Sequence, residues 1–286
     1  MQWAERCFSS LKNSIVPPDI FVVDNGSTDG TQAFINEHFP EVMFHQSEEN
    51  LGFGKANNLG LQYALDYNYD YVYLLNQDAW VQNDTFERLV EISKKYPEYG
   101  ILSPFQMNAD MQHIDRNFVA NVLAWKSNPD IVDDMYRQQL KEVYPVNGVM
   151  AAHWFMPIKT VKRVGGFSPS FPHYGEDNNY VVRLLYRHMK VGVVPRLRVV
   201  HDRGWRKETI KKSIYLAYTS SIEALSNTQI GFVRGLCIII STCLFTMVKY
   251  KSIYPFMNLM KIFFHYFEII NNKRISMNKD GAFLYL

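Results

Sequence analysis

The chain has 286 residues, 47% hydrophobic and 20% charged, which suits one large domain or a domain with an appendage and argues against disorder. Lys and Arg number 30 against 28 Asp and Glu, and this near balance excludes nucleic acid held mainly by charge. Cys7, Cys237 and Cys243 form no CxxC pair, so neither a zinc knuckle nor a disulfide framework is indicated and a reducing, cytoplasmic setting is the default. The opening "MQWAERCFSS" lacks the apolar core of a signal peptide. From there to residue 200, strand-like and helix-like segments alternate. "IFVVDNGS" is a β-branched run that turns polar, "TDGTQAFINEHF" has helical spacing, and "EVMFHQSEEN" reads as a strand. "GKANNLGLQYALDY" is the next helix and "DYVYLLNQD" the next strand. "NDTFERLVEISKKYP" opens with a capping Asn83 or Asp84 and carries Phe86, Leu89, Val90 and Ile92 on one face. "GILSPF" is a short strand. Such alternation implies parallel pairing in a doubly wound α/β sheet, whose ligands bind outside the carboxyl ends of the strands.

Residues 110–145 mix polar and apolar positions and read as a hairpin or helical insertion. β character returns in "YPVNGVMAAHWFM". "EDNNYVVRLLYRHMK" is a helix from near Asp177 with Tyr180, Val181, Leu184, Leu185 and Met189 as its buried stripe, and "VGVVPRLRVVH" is a last strand. After Gly204 the texture becomes basic, then strongly apolar and aromatic. This places a boundary near 205, between 1–204, the α/β part, and 205–286, a helical region. The longest uncharged apolar run, Gly235–Val248, has fourteen residues, short of the roughly 18–20 that a spanning helix needs.

Several polar clusters fall at the ligand edge. Asp24, in "DNGSTDGT", suits a hydrogen bond from the ring N–H of a pyrimidine base, or else belongs to a turn capping the next helix. "ENLGFGKANNLG" offers Gly52, Gly54, Lys55, Asn57 and Asn58 ahead of a helix, either a phosphate cradle or an ordinary Gly-rich lead-in. It is neither a Walker A loop nor a GxGxxG loop, and no basic triphosphate loop supports a nucleotidyltransferase. Asp78 stands where a strand ends, as a cation ligand or a helix cap. Glu176 and Asp177 are adjacent carboxylates at a helix start, offering a general base or satisfying the helix dipole. His201 ends the last strand, as a metal ligand or a packed histidine.

Taken in order, "VVDNGSTDGT", "NLGFGKANNLG", "LLNQDAWV", "VNGVMAAHWFM…VGGFSPSFPHYGEDNNYVVRL" and "VPRLRVVHDRG" resemble family 2 glycosyltransferases of the GT-A fold, particularly the bacterial rhamnosyltransferase-like branch. The resemblance runs from about residue 20 to 204. It implies a GT-A fold with a mixed sheet and an inverting, metal-dependent transfer. The sugar would pass from a UDP- or dTDP-type nucleoside-diphosphate sugar to a glycan or lipid-linked acceptor, in cell-surface polysaccharide synthesis. Asp24 would contact the base, and the Gly52–Asn58 loop the nucleotide or its sugar. Asp78 would hold Mn²⁺ or Mg²⁺ at the last position of a DxD-type signature whose first position is here Asn76. Gly148 would line the sugar and acceptor pocket. Asp177 would be the base with Glu176 beside it, and His201 the second metal ligand.

One departure stands out. Family members open with an apolar strand ahead of the helix that "WAERCFSSLKNS" would form, whereas this sequence opens within that lead-in. Either the start site is misassigned, or the chain is truncated; a true loss of the strand would expose a sheet slot and weaken donor binding, which keeps a non-catalytic nucleotide-sugar binder as the rival reading. The tail, with apolar and aromatic stretches punctuated by Arg and Lys, suits an interfacial helix at the inner face of a membrane. It suits equally an appendage packed on the catalytic domain or on a second copy in a homodimer.

Overall fold

The structure is a computed structural model and describes residues 2–124, 128–204, 209–278 and 281–284. The expected boundary at residue 205, residues 125–127 of the irregular segment and the opening Met1 lie outside the described residues. The helix α1 (Ala4–Lys12) leads to β1 (Phe21–Asp24), α2 (Thr31–His38), β2 (Met43–Gln46) and α3 (Gly52–Asp66). Then come β3 (Tyr71–Leu75), β4 (Ala79–Trp80), α4 (Thr85–Lys95) and β5 (Tyr99–Met107). Each strand follows a β-branched or aromatic run, and each helix a segment with apolar residues on one face. α4 buries Phe86, Leu89 and Ile92 as its spacing requires. Its N-cap, Asp84, makes no side-chain capping bond, and the hydroxyl of Thr85 accepts from the Gln82 N–H instead.

β5 is longer than "GILSPF" suggests and buried along its whole length. It runs through Pro104 because the register against its partner shifts between Pro104 and Phe105, where proline has no N–H to offer. The 110–145 insertion contains a short helix α5 (Arg116–Phe118), a π turn over Val119–Leu123 and α6 (Pro129–Tyr136). It contributes Phe118, Val122, Leu123 and Ile131 to the main core. β6 (Tyr144–Val146), β7 (His153–Pro157), α7 (Ile158–Val164), α8 (Glu176–Tyr186) and β8 (Lys190–His201) complete the α/β part.

Pairing is mixed, not parallel throughout. The main sheet has the order β3-β7-β5-β8-β4, with β6 also on β8. β5 and β8 are parallel, while β7 runs antiparallel to both β3 and β5. β1 and β2 form a separate parallel pair. Among the described residues β1 pairs only with β2 and β3 only with β7, so each keeps an unpaired edge. The two sheets are joined through side chains: Leu11 of α1 packs with Val81, Phe86 and Val199, and Ile20, Tyr73 and Leu75 pack around them.

α8 buries Tyr180, Val181 and Leu184 as expected, with Leu185 half-buried. It also buries Arg183 completely. The guanidinium donates to Asn179 Oδ1 (3.0 Å), Val164 O (3.0 Å) and Gly166 O (2.6 Å), with the Tyr180 ring at 5.0 Å. Burial lowers its pKa to about 10. The tail folds as α9 (Ile210–Ser226), α10 (Phe232–Tyr250), α11 (Tyr254–Phe264) and α12 (Tyr266–Met277). α10 extends beyond the fourteen-residue apolar run. Its 19 residues are long and apolar enough to cross a membrane by length and composition alone. α9, α10 and α11 share a core of Ile222, Leu225, Ile239 and Ile262.

Candidate active site

The apolar strand "YVYLL" stops at Leu75, and Asn76–Ala79 close a tight turn in which the Ala79 N–H donates to Asn76 O at 3.2 Å. Asn76 is tied to the β6–β7 connection by its own N–H, which donates to Ala152 O at 3.4 Å. The chain then enters β4, whose Ala79 pairs with His201 at the end of β8. The Asp202 N–H donates to Asp78 O at 2.8 Å. This antiparallel pairing places the Asp78 carboxylate 3.4 Å from His201 Nε2, across 123 positions of sequence. Both are largely buried, with side chains 19% and 4% exposed. Burial by itself would raise the pKa of Asp78. The hydrogen bond and charge of His201, backbone donation and the charge of Arg203 outweigh it and hold the carboxyl below its ordinary value.

The imidazole of His201 has competing partners at Nδ1. Gln106 Oε1 lies 3.4 Å away, and Arg203 donates from Nε at 3.1 Å with its Nη2 at 2.7 Å. A proton on Nδ1 shared with Gln106 leaves the Nε2 lone pair free beside Asp78. Donation from Arg203 instead requires the Nδ1 lone pair and moves the proton to Nε2. The first arrangement provides a carboxylate oxygen and an imidazole nitrogen on one spot, a donor set suited to Mn²⁺ or Mg²⁺. Adopting it requires Arg203 to turn away, and Asp115 Oδ2, 3.5 Å from its Nε, is an alternative partner. Among the described residues no group of three His, Cys, Asp or Glu gathers here. The pair would therefore share a cation with oxygens that come from elsewhere, such as phosphate or water.

The second cluster sits at the start of α8. Its N-cap, Gly175, has φ +95°, a left-handed conformation that favours glycine. Asp177 accepts from the backbone N–H groups of Asn178 (2.8 Å) and Ala151. Burial nevertheless raises its pKa above the ordinary carboxylate value, against those bonds and the opposing charge of Arg203. Arg203 acts electrostatically on both Asp78 and Asp177. The β6–β7 connection links the two carboxylates' elements, with Ala152 bound to Asn76 and Ala151 bound to Asp177. Gly148 lies in the same connection, and a Cβ there would meet nothing within 4 Å.

Glu176 is buried, at 4% exposure, and one of its oxygens, Oε2, has no hydrogen-bond partner. Burial, with the neighbouring charges of Asp177 and Glu223 and against its own backbone N–H, pushes its pKa up to about 7. Glu223 comes from α9 and was not among the residues expected here. Its carboxylate accepts from Asn178 Nδ2 at 3.2–3.3 Å and packs over Gly175, where a Cβ would come within 2.7 Å of its Oε1. Burial, reinforced by Asp177 and offset by Asn178, raises it to about 7 as well. The sequence held one signal for it: Glu223 is the sole charged residue between Lys212 and Arg234.

The remaining expected residues divide. Asp24 is buried at the end of β1 and its Oδ1 accepts from the Ser27 N–H at 2.7 Å, the turn-capping role. Its neighbour Asn25 binds the start of α3, through Leu51 N and Gly52 O. Gly52 has φ +72° and packs against Pro172 O, while Gly54 packs on Phe167 and near Glu176, so this loop adjoins the α8 cluster. Lys55 is exposed. Asn57 donates to Phe53 O within its own helix. Asn58 is buried and fully engaged: it donates to Phe167 O and Phe283 O and accepts from Phe167 N. That latch holds α3 to the turn before α8 and engages both ends of the Asn58 amide. His153, behind His201, is a buried neutral histidine between the Tyr73 hydroxyl and Val200 O, its pKa lowered by burial to about 3.

Comparison with known proteins gives the family and the fold. The family model described as "Glycosyl transferase family 2" matches residues 2–150. An N-acetylglucosaminyl-diphospho-decaprenol L-rhamnosyltransferase of Mycobacterium tuberculosis is 27% identical over 222 residues, covering 70% of this chain and 72% of that protein. The S. aureus TarS 1-349 structure in complex with UDP-GlcNAc aligns with TM-score 0.54 at 11% identity, covering 97% of this chain and 78% of that one. GalNAc-T7 with UDP, GalNAc and Mn²⁺ aligns with TM-score 0.52 at 13% identity over 78% of this chain, which spans 47% of that one. The fold is therefore the GT-A fold of those glycosyltransferases.

Proposed function

The chain belongs to glycosyl transferase family 2, and on that premise we propose that it is an inverting glycosyltransferase. In this reading it moves a sugar from a UDP- or dTDP-type nucleoside-diphosphate sugar to a hydroxyl of a glycan or lipid-linked acceptor, in cell-surface polysaccharide assembly. The lipid-linked acceptor is supported by the rhamnosyltransferase relative, and the donor type by the UDP-GlcNAc bound to TarS. The observation that carries the reading is the buried Asp78–His201 pair, joined to Asp177 through the β6–β7 connection, whose Ala152 binds Asn76 and whose Ala151 binds Asp177.

Asp78 and His201 would hold Mn²⁺ or Mg²⁺, which when bound offsets negative charge on the departing diphosphate. Arg203, released from His201, is positioned to pair with the same diphosphate. Asp24 and the Gly52–Gly54 backbone, with Lys55, serve the nucleotide side. Asn57 and Asn58, engaged within the protein, hold the loop. Asp177 takes the proton of the acceptor hydroxyl as its oxygen attacks the anomeric carbon opposite the leaving group. One displacement inverts that centre, and no covalent nucleophile is needed. A base whose pKa is raised by burial is better matched to this task near neutral pH. Glu223 braces the start of α8 through Asn178. Asp177→Asn is expected to lower transfer by about 10²–10⁴-fold with nucleotide affinity unchanged. Loss of nucleotide binding in that variant would overturn its role as base.

A second reading, a nucleotide-sugar binder without turnover, draws on one observation: among the described residues β1, which ends in Asp24, pairs with β2 and with no strand of the main sheet. Nucleotide release from donor sugars by the wild-type chain separates the two.

A further inference from the structure

Large apolar side chains are unevenly exposed. Of 24 that are exposed in the described residues, 16 lie within 232–277, so the tail carries a concentrated apolar surface. α10 is two-faced along its length. Gly235, Ile239, Cys243 and Thr246, at i, i+4, i+8 and i+11, form its buried stripe, and α10 packs chiefly on α9 and α11. Val233, Ile240, Leu244 and Val248 form the opposite stripe, with Val248 79% exposed. α11 repeats the pattern: Ile262 joins the core with Ile222 of α9, while Met257, Met260 and Phe264 are exposed, Phe264 at 81%. Because both helices seat their buried stripes on α9, their outward faces point away from it together. A bare apolar surface of this kind marks an interaction site.

The charge on that surface has one sign. Between Glu223 and Glu268 the sequence contains no Asp or Glu, but it does contain Arg234, Lys249, Lys251 and Lys261. All four are exposed and sit at the ends or on the outer side of α10 and α11. Beside this surface lies a cavity of about 370 Å³ whose walls include Phe232 and Tyr266, with Lys273 and Arg274. We propose that the outward face of α10 and α11 is a docking surface for an anionic lipid membrane, with the apolar stripes in the acyl boundary and the cations among the headgroups. A second copy of the chain fits less well, because a twofold contact through this face would set cations against cations.

The helices lie in the interface; they do not cross it. α10 is long enough to span, but one of its faces is committed to α9. α9 is itself anchored to the start of α8 through Glu223 and Asn178. Threading α10 through a bilayer would therefore pull polar groups of α9 into hydrocarbon. A helix buried on one side and apolar with flanking cations on the other suits the headgroup–acyl boundary. Because α9 joins this face to the α8 cluster, docking would fix that cluster relative to a lipid-borne acceptor. That consequence, though not the docking itself, rests on the transfer reading.

The test is co-sedimentation of the full chain with vesicles of phosphatidylcholine alone and of phosphatidylcholine with phosphatidylglycerol. Binding is expected to the anionic vesicles, weaker to the neutral ones, and weakened by added salt. Lys249→Gln with Lys251→Gln should weaken it by about 30-fold, and Leu244→Glu with Phe264→Glu should abolish it. These are exposed positions, so the melting temperature should be unchanged. Failure to bind anionic vesicles, or undiminished binding by the Glu variant, overturns the proposal. So does a dimer that the Glu variant dissociates while the wild type ignores vesicles. UDP affinity measured on the same samples separates the two claims: normal affinity without vesicle binding removes only the dock, and vesicle binding without nucleotide affinity removes only the transferase.

Discussion

Replacing Gly175 with alanine tests whether the α8 cluster is held by close packing against the tail. Gly175 has φ +95° and ψ −15°, so an alanine there costs about 1 kcal/mol in backbone strain alone. The added Cβ would lie 2.7 Å from Glu223 Oε1 and 3.1 Å from two ring carbons of Phe171. Phe171 is buried in the tail core and can give little way, so overpacking adds about 1–3 kcal/mol. The sum is about 2–4 kcal/mol, which lowers the melting temperature by roughly 5–15 °C for a chain of this size. Gly30→Ala is the matched control. Gly30 is also a left-handed helix N-cap, at φ +83°, but a Cβ there meets nothing within 4 Å. It should lose only the backbone part, about 1 kcal/mol. Thermal and urea denaturation of both variants, with transfer assayed alongside, decides the matter. Equal destabilisation of the two variants, or full transfer activity in Gly175→Ala, would refute the packing argument.

Two further expectations concern stability. Arg183→Met leaves the carbonyls of Val164 and Gly166 and the Asn179 amide oxygen buried without their donor, costing roughly 3–5 kcal/mol by urea unfolding. A loss below about 1 kcal/mol would mean that those groups find other partners. Glu176 and Glu223 have folded pKa values of about 7, above the ordinary 4.5, so the folded state binds their protons more tightly than the unfolded chain. Their contribution is therefore most favourable below about pH 4.5 and is lost as pH rises toward 7. Relative to wild type, Glu223→Gln should gain stability progressively over that window, and a difference independent of pH would contradict the assignment.

Much of this arrangement was legible in the residues because its parts are local. β-branched runs ending in polar residues marked β1, β3 and β8, and the carboxyl ends of those strands carry Asp24, the Asp78 turn and His201. The closeness of Asp78 and His201 follows from a two-residue strand, β4, laid antiparallel on the end of β8. Strand direction was less legible. "HWFMP" has the same alternation whichever way it runs, and its connections, not its side chains, turn β7 against its neighbours. Asn58 sits in a Gly-rich loop, where a ligand contact is the local expectation, yet its partners lie 109 and 225 positions away. Glu223 was hidden for the same reason: only the docking of α9 brings it to Asn178, 45 residues earlier.

Calorimetric titration of the chain with UDP or dTDP, with and without Mn²⁺, tests the central claim most directly. Asp78 and His201 as a shared cation site predict that Mn²⁺ raises nucleotide affinity roughly ten- to a hundredfold and that Asp78→Ala or His201→Ala removes the gain. Affinity indifferent to Mn²⁺, or a gain that survives in Asp78→Ala, would contradict it.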